Sequence, residues 1–130
     1  MFIFDTNICI YHIKGKYSLG EKFAKVPRDS RFISEITLAE LKFGVQNSQN
    51  PQANNKVLTD FLTGVNILPI LPSLDFYAIE KSRLRKLGMP VDDFDLLIGA
   101  CAVTNGLCLV TNNESHFQRI QGISIENWVK

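Results

Sequence analysis

Apolar residues recur along the chain with two alternating periods. Phe2-Ile3-Phe4 is a compact, aromatic-rich run that reads as a buried strand, and Asp5-Thr6-Asn7 then supplies capping residues for a helix over Ile8 to Ile13. Arg31 to Ser34 predicts a second strand, after which Leu38, Leu41 and Val45 recur at helical spacing between Thr37 and Gln46. The Asn- and Gln-rich stretch Gln46 to Asn55, with Pro51 in its middle, reads as a polar connection. A helix follows from Asn54 to Gly64, then a strand over Asn66 to Leu71 that Pro69 confines to an edge or an irregular end. Ser73 stands as N-cap of a long helix that reaches Lys86 and is stopped by Gly88 and Pro90. Phe94 to Val103, apolar apart from Asp95, predicts a central helix, and Leu107 to Val110 a last buried strand.

Strands alternating with helices predict an α/β fold, a parallel sheet with helices on both faces. In such sheets a ligand site lies outside the carboxyl ends of the strands. At 130 residues the chain is the size of one domain, 1–130, with enough core to fold without disulfide or metal staples. No apolar run is long enough to span a bilayer, and Asp5 interrupts the N-terminal run too early for a signal peptide, so a cytoplasmic protein is expected.

Charge changes the picture only locally, because 14 Lys and Arg nearly cancel 13 Asp and Glu. Cys9, Cys101 and Cys108 show no Cys-x-x-Cys spacing and sit in apolar stretches, which points away from redox or zinc chemistry. His12 and His116 lack partners at metal-ligand spacing and read as packing or surface residues. Lys14, Lys16, Arg83, Arg85 and Lys86 form the candidate basic rim for a nucleic-acid backbone, although a charged helix face is more often merely solvated.

The candidate chemistry is acidic. Asp5 follows the first strand directly, where it projects from the carboxyl edge or simply caps a helix. Glu40 follows Thr37 by three residues, the capping-box spacing. Asp95 is harder to explain away, since a charge among Phe94, Leu96, Leu97 and Ile98 is costly unless paired or bound to a cation. Asp92 and Asp93 read as cap and solvated charge, with Asp93 a secondary candidate for the site, and Thr111-Asn112-Asn113-Glu114 brings polar groups to another strand end. Carboxylates from separate units converging on one edge repel each other, and a divalent cation relieves that repulsion. Oxygen ligands without His or Cys suit Mg²⁺ or Mn²⁺, which serve phosphoryl chemistry.

These residues resemble a family. Phe4-Asp5-Thr6-Asn7, Ile36-Thr37-Leu38-Ala39-Glu40-Leu41 with Gly44, Gly88-Met89-Pro90-Val91 leading to Asp95-Leu96-Leu97-Ile98, and Val110-Thr111-Asn112-Asn113 are similar to the blocks of PIN-domain ribonucleases of the VapC toxin type. His116-Phe117-Gln118-Arg119-Ile120 and Glu126-Asn127-Trp128 complete the order over nearly the whole chain. The resemblance implies a PIN-like three-layer α/β/α sandwich with a central, mainly parallel, twisted sheet. It implies a Mg²⁺-dependent endoribonuclease, with Mn²⁺ able to substitute, in which Asp5, Glu40 and Asp95 bind the metal and Asn113 joins them in catalysis. Asn113 stands where family members often carry a fourth acid, so a one-metal site is expected, with Asn7, Asp93, Thr111 and Asn113 acting through water or through the ligands.

The resemblance further implies structured RNA as substrate, a tRNA and plausibly the initiator tRNA anticodon region, and hence arrest of translation and growth. The implied partners are a cognate VapB-like antitoxin that reaches operator DNA, a second toxin copy in a homodimer, and a larger assembly of toxin with antitoxin. A receiver domain would need another acid beside Asp5, and a haloacid-dehalogenase-like phosphatase an acid where Asn7 stands. A PIN-like module that only binds RNA or antitoxin is the remaining alternative.

Overall fold

The computed structural model describes residues 1–130. Strand β1 (Phe2–Phe4) leads into α1 (Thr6–Ile13) and α2 (Leu19–Ala24), and β2 (Arg31–Ser34) into α3 (Glu35–Gln46) and α4 (Pro51–Leu62). Strand β3 (Asn66–Leu68) leads through a 3₁₀ turn, Leu71–Ser73, into α5 (Leu74–Lys86) and α6 (Asp93–Thr104). Strand β4 (Cys108–Val110), the single-turn α7 (Glu114–Phe117) and β5 (Ser124–Glu126) complete the chain. The sheet runs β3-β2-β1-β4-β5, and every pairing is parallel.

Successive strand residues point to opposite faces, so one short strand serves two cores. Phe4 and Val110 face a layer that contains Ile8, Cys9, Phe23 and Leu41, with Trp128 from the C-terminus closing over it. Ile3 and Leu109 face the other layer, built with Leu84, Leu96, Ile98 and Phe117. This is the three-layer α/β/α arrangement, with α1 to α4 on one side and α5 to α7 on the other. The chain leaves β1 toward β2 and later returns on its opposite side as β4, so the order reverses between β1 and β4. Their carboxyl ends flank the crevice where open α/β sheets bind ligands.

Several boundaries differ from the sequence reading, for local reasons. Helix α4 starts at Pro51, because the Asn50 side chain accepts from Ala53 N at 3.2 Å and Pro51 occupies the first turn, so half of the supposed connection is helical. Helix α3 starts at Glu35 under Ser34, whose hydroxyl accepts from Thr37 N at 3.1 Å, and no Thr37–Glu40 capping box forms. Ser73 does stand at the N-cap position of α5, but it is fully buried at the end of the 3₁₀ turn and its hydroxyl makes no capping hydrogen bond. Strand β3 stops at Leu68, ahead of Pro69. Helix α2 and strand β5 were not anticipated: α2 is six residues with no side-chain cap, and β5 is an edge strand whose only apolar residue, Ile125, is half-buried.

Candidate functional site

The end of β1 places Asp5 against the end of β4. Asp5 is the N-cap of α1, its Oδ1 accepting from Ile8 N at 2.8 Å, while Oδ2 accepts from Thr111 Oγ1 at 2.5 Å. Asp5 thus caps a helix and at the same time lies at the switch point. It is 5% exposed. Burial pushes its carboxyl up to about 6 against the two hydrogen bonds, and the charges of Asp95 and Glu40 push the same way. Thr111, completely buried, accepts from Asn113 N at 2.9 Å, so a short polar chain runs Asn113 N–H, Thr111 O–H, Asp5 carboxylate.

Glu40 reaches the same edge from the second turn of α3. Thr6 Oγ1 donates to Glu40 Oε1 at 2.5 Å and shares a 3.2 Å hydrogen bond with the buried hydroxyl of Thr37. These two threonines hold Glu40 and were read from sequence only as capping residues. The Thr-x-x-Glu spacing that looked like a box is instead one helical turn with both side chains on the face toward α1.

Asp95 lies half-buried in the first turn of α6, and its carboxylate accepts no hydrogen bond from the protein. Burial raises its carboxyl above the ordinary range, helped by Asp92 and Glu40 and opposed by His116. Asp92 is the cap of α6, accepting from Phe94 N at 3.2 Å. His116, expected to be uninvolved, stands beside this group, its Nδ1 2.8 Å from Asn113 Nδ2. No spacing rule would have found it, because a single turn of α7 brings it to Asn113.

The remaining candidates divide. Asn7 is exposed and its side chain makes no hydrogen bond. Asp93 turns toward α5, pairing with Lys81 Nζ at 2.7 Å and accepting from Tyr77 Oη at 2.9 Å, so the structure does not bring it to Asp5 and Glu40. Arg83, a candidate for the basic rim, is engaged within the protein: its guanidinium makes a bidentate pair with Glu80, at 2.7 and 2.6 Å, and donates to the Arg119 carbonyl. Glu80 is 3% exposed and also accepts from Gln121 N, which ties α5 to the segment after α7. Arg85 and Lys86 are exposed, and Arg85 lines a cleft with Lys81, Asp92 and Asp93 that excludes the three acids. Lys14 and Lys16 are exposed and unpaired, and Lys14 lines a groove of about 350 Å³ together with Glu40. His12 stacks on Phe23 at 4.1 Å, a packing residue as expected.

The donor set fits a hard divalent cation. Asp95 offers two unengaged oxygens, Glu40 one, and each Asp5 oxygen keeps a free lone pair beyond its single donor. No three His, Cys, Asp or Glu side chains close into a ready-made cage.

Comparison with known proteins agrees with this architecture. The PIN domain family matches residues 2–123. The tRNA(fMet)-specific endonuclease VapC of Shigella flexneri is 36% identical over 129 residues, covering 98% of this chain and 97% of that protein. Ribonuclease VapC2 of Rickettsia felis is also 36% identical, over 100% of this chain and 99% of its own. The crystal structure of DNA-bound VapBC from Salmonella typhimurium superposes with a TM-score of 0.91 at 35% identity, covering 98% and 97% of the two chains. With the fold, the acid-lined switch point and these relatives in agreement, the chain belongs to the PIN-domain family, among its VapC ribonucleases.

Proposed function

We propose that the protein is the toxin of a toxin–antitoxin pair, a Mg²⁺-dependent endoribonuclease whose metal is held by Asp5, Glu40 and Asp95. One observation carries the assignment: Asp5 at the end of β1 is held by Thr111 and Ile8 N, Glu40 on α3 is held by Thr6, and Asp95 and Glu40 both lie close enough to push the Asp5 carboxyl up. The Asp95 carboxylate, in an apolar helix, has no hydrogen-bond partner. Assembling like charges without a counterion is unfavourable, and hard oxygen donors select Mg²⁺ or Mn²⁺. When bound, such a cation supplies Lewis-acid stabilisation of the charge that develops during phosphodiester hydrolysis.

The chain's own residues do the positioning. Thr111 and Ile8 N orient Asp5, Thr6 orients Glu40, and Asn113 is placed by its backbone bond to Thr111 to hold a water or a phosphate oxygen with its amide. Asn113 in place of an acid favours a single-metal site.

The substrate in this reading is a structured RNA with an accessible loop, a tRNA, and specifically the initiator tRNA for which the Shigella relative is named. The partner is a VapB-like antitoxin that carries the complex to operator DNA, in keeping with VapBC relatives solved on DNA, and the toxin is taken to be a homodimer. No helix is long and apolar enough to cross a membrane.

Incubation of the purified protein, freed of any copurifying partner, with total bacterial RNA tests this, with and without Mg²⁺ or Mn²⁺ and beside Asp5→Asn. Metal-dependent RNA ends concentrated in one loop and absent with Asp5→Asn are expected. Ends identical to buffer, with RNA or antitoxin still bound, would replace the enzyme by a binding module.

A further inference from the structure

The loop between α1 and α2 has features that packing does not explain. Tyr17 and Ser18 both adopt left-handed backbone, φ 59° and 54°, a conformation that costs energy for residues with a side chain, and two in succession are rare. The loop is nevertheless ordered, with Lys16 N donating to the Tyr11 carbonyl at 2.9 Å and Leu19 N to the Lys16 carbonyl at 3.2 Å. What this arrangement achieves is display of an aromatic ring. Tyr17 is 49% exposed, its hydroxyl makes no hydrogen bond, and its ring is braced edge-on against Tyr11 with centroids 5.1 Å apart.

The surroundings of that ring are basic. No acid occurs between Asp5 and Glu21, and Lys14 and Lys16, flanking the loop, are exposed with no carboxylate in ion-pair range. Lys14 shares its groove with Glu40, and the length of α1 separates the loop from Asp5 by roughly 13 Å. An open aromatic face between unpaired lysines matches the chemistry of single-stranded nucleic acid, whose bases stack on such rings while cations track the phosphates.

We propose that Tyr17, braced by Tyr11, is a stacking platform for an unpaired base of the RNA substrate, with Lys14 and Lys16 holding the adjoining phosphates. The platform rests on the ribonuclease reading above. It makes Tyr17 a positioning residue that favours looped over fully paired RNA, because a paired base offers no free face.

The test measures binding in an Asp5→Asn background, which keeps the RNA intact, using a stem–loop RNA and a fully paired duplex of equal length. Tyr17→Asn, which tolerates the left-handed backbone but removes the ring, is expected to weaken stem–loop binding about tenfold while leaving duplex binding unchanged. Tyr17→Phe restores affinity, and neither variant changes the slope of log Kd against log salt, whereas Lys14→Gln with Lys16→Gln lowers it. In the Asp5-intact protein, Tyr17→Asn raises KM and leaves kcat in place. Unchanged stem–loop affinity and KM for Tyr17→Asn would overturn the platform alone, as would loss of antitoxin binding with RNA binding intact. A wild-type protein that neither binds nor cleaves RNA with Mg²⁺ or Mn²⁺ would overturn the ribonuclease reading as well.

Discussion

Thr111 Oγ1 donates to Asp5 Oδ2 at 2.5 Å, joining two residues 106 positions apart in the chain. The bond lowers the pKa of a carboxyl that burial raises, and Thr111 itself is completely buried. Thr111→Val keeps the shape and removes the donor. The Asp5 carboxyl should then titrate above its present value of about 6, and stability should fall by about 1–3 kcal/mol, the cost of stranding a buried acceptor. Carboxyl NMR and denaturant unfolding measure the two effects, and an unmoved titration would show that the threonine does not control this group.

Asp5 also sets a pH dependence with a definite sign. Its folded pKa, about 6, lies above the ordinary value of 3.8, so the fold favours the protonated form. The stability this contributes is complete below about pH 4 and is lost as pH rises through about 6, amounting to about 3 kcal/mol. Metal-free wild type should therefore weaken over that window relative to Asp5→Asn, whose amide still accepts from Ile8 N and donates to Thr111 Oγ1. Above pH 7 the variant should be the more stable protein and should not cleave RNA. Parallel unfolding curves for the two proteins from pH 4 to 7 would contradict the burial of this charge.

Thr6 is the only side chain that donates to Glu40, across 2.5 Å from α1 to α3. Thr6→Val should keep the fold but lower its stability by about 1–3 kcal/mol, because it strands the buried Thr37 hydroxyl, and should free Glu40 to sample other rotamers. Mn²⁺ affinity by calorimetry should drop several-fold, and cleavage with it. Equal Mn²⁺ binding would remove Glu40 from the ligand set or Thr6 from its support.

Arg83 separates structural from substrate-binding charge. With Glu80 3% exposed and dependent on it, Arg83→Ala leaves a nearly buried carboxylate short of its strongest partner. A lower melting temperature with an unchanged KM for RNA is expected. The reverse result, altered KM at constant stability, would return Arg83 to the RNA-binding surface.

Much of the architecture was legible because short-range pattern and burial coincide. Ile3 and Phe4 are apolar on both faces, as a central parallel strand requires, and Asp95 stands out because no apolar helix face tolerates a charge without reason. What was not legible depends on neighbours distant in sequence or on local ties that mimic something else. Thr37 and Glu40 share a spacing with the capping box, and only the position of Ser34 decides that the helix starts earlier. Arg83 looks like part of a basic face until Gln121 N, 41 residues later than Glu80, is seen to complete a closed network. Strand β5 has one apolar residue, and its pairing with β4 supplies what its own pattern lacks.

The strand order bears on how the protein is made. β1 emerges first from the ribosome but lies at the centre of the sheet, where its neighbour β4 pairs Phe2 with Cys108. Until that late strand arrives, Asp5 lacks Thr111, and α6 has only just brought Asp95 into the chain. A nascent polypeptide thus carries the acids in order but not in place. The site proposed above can therefore assemble only once nearly the whole message has been read.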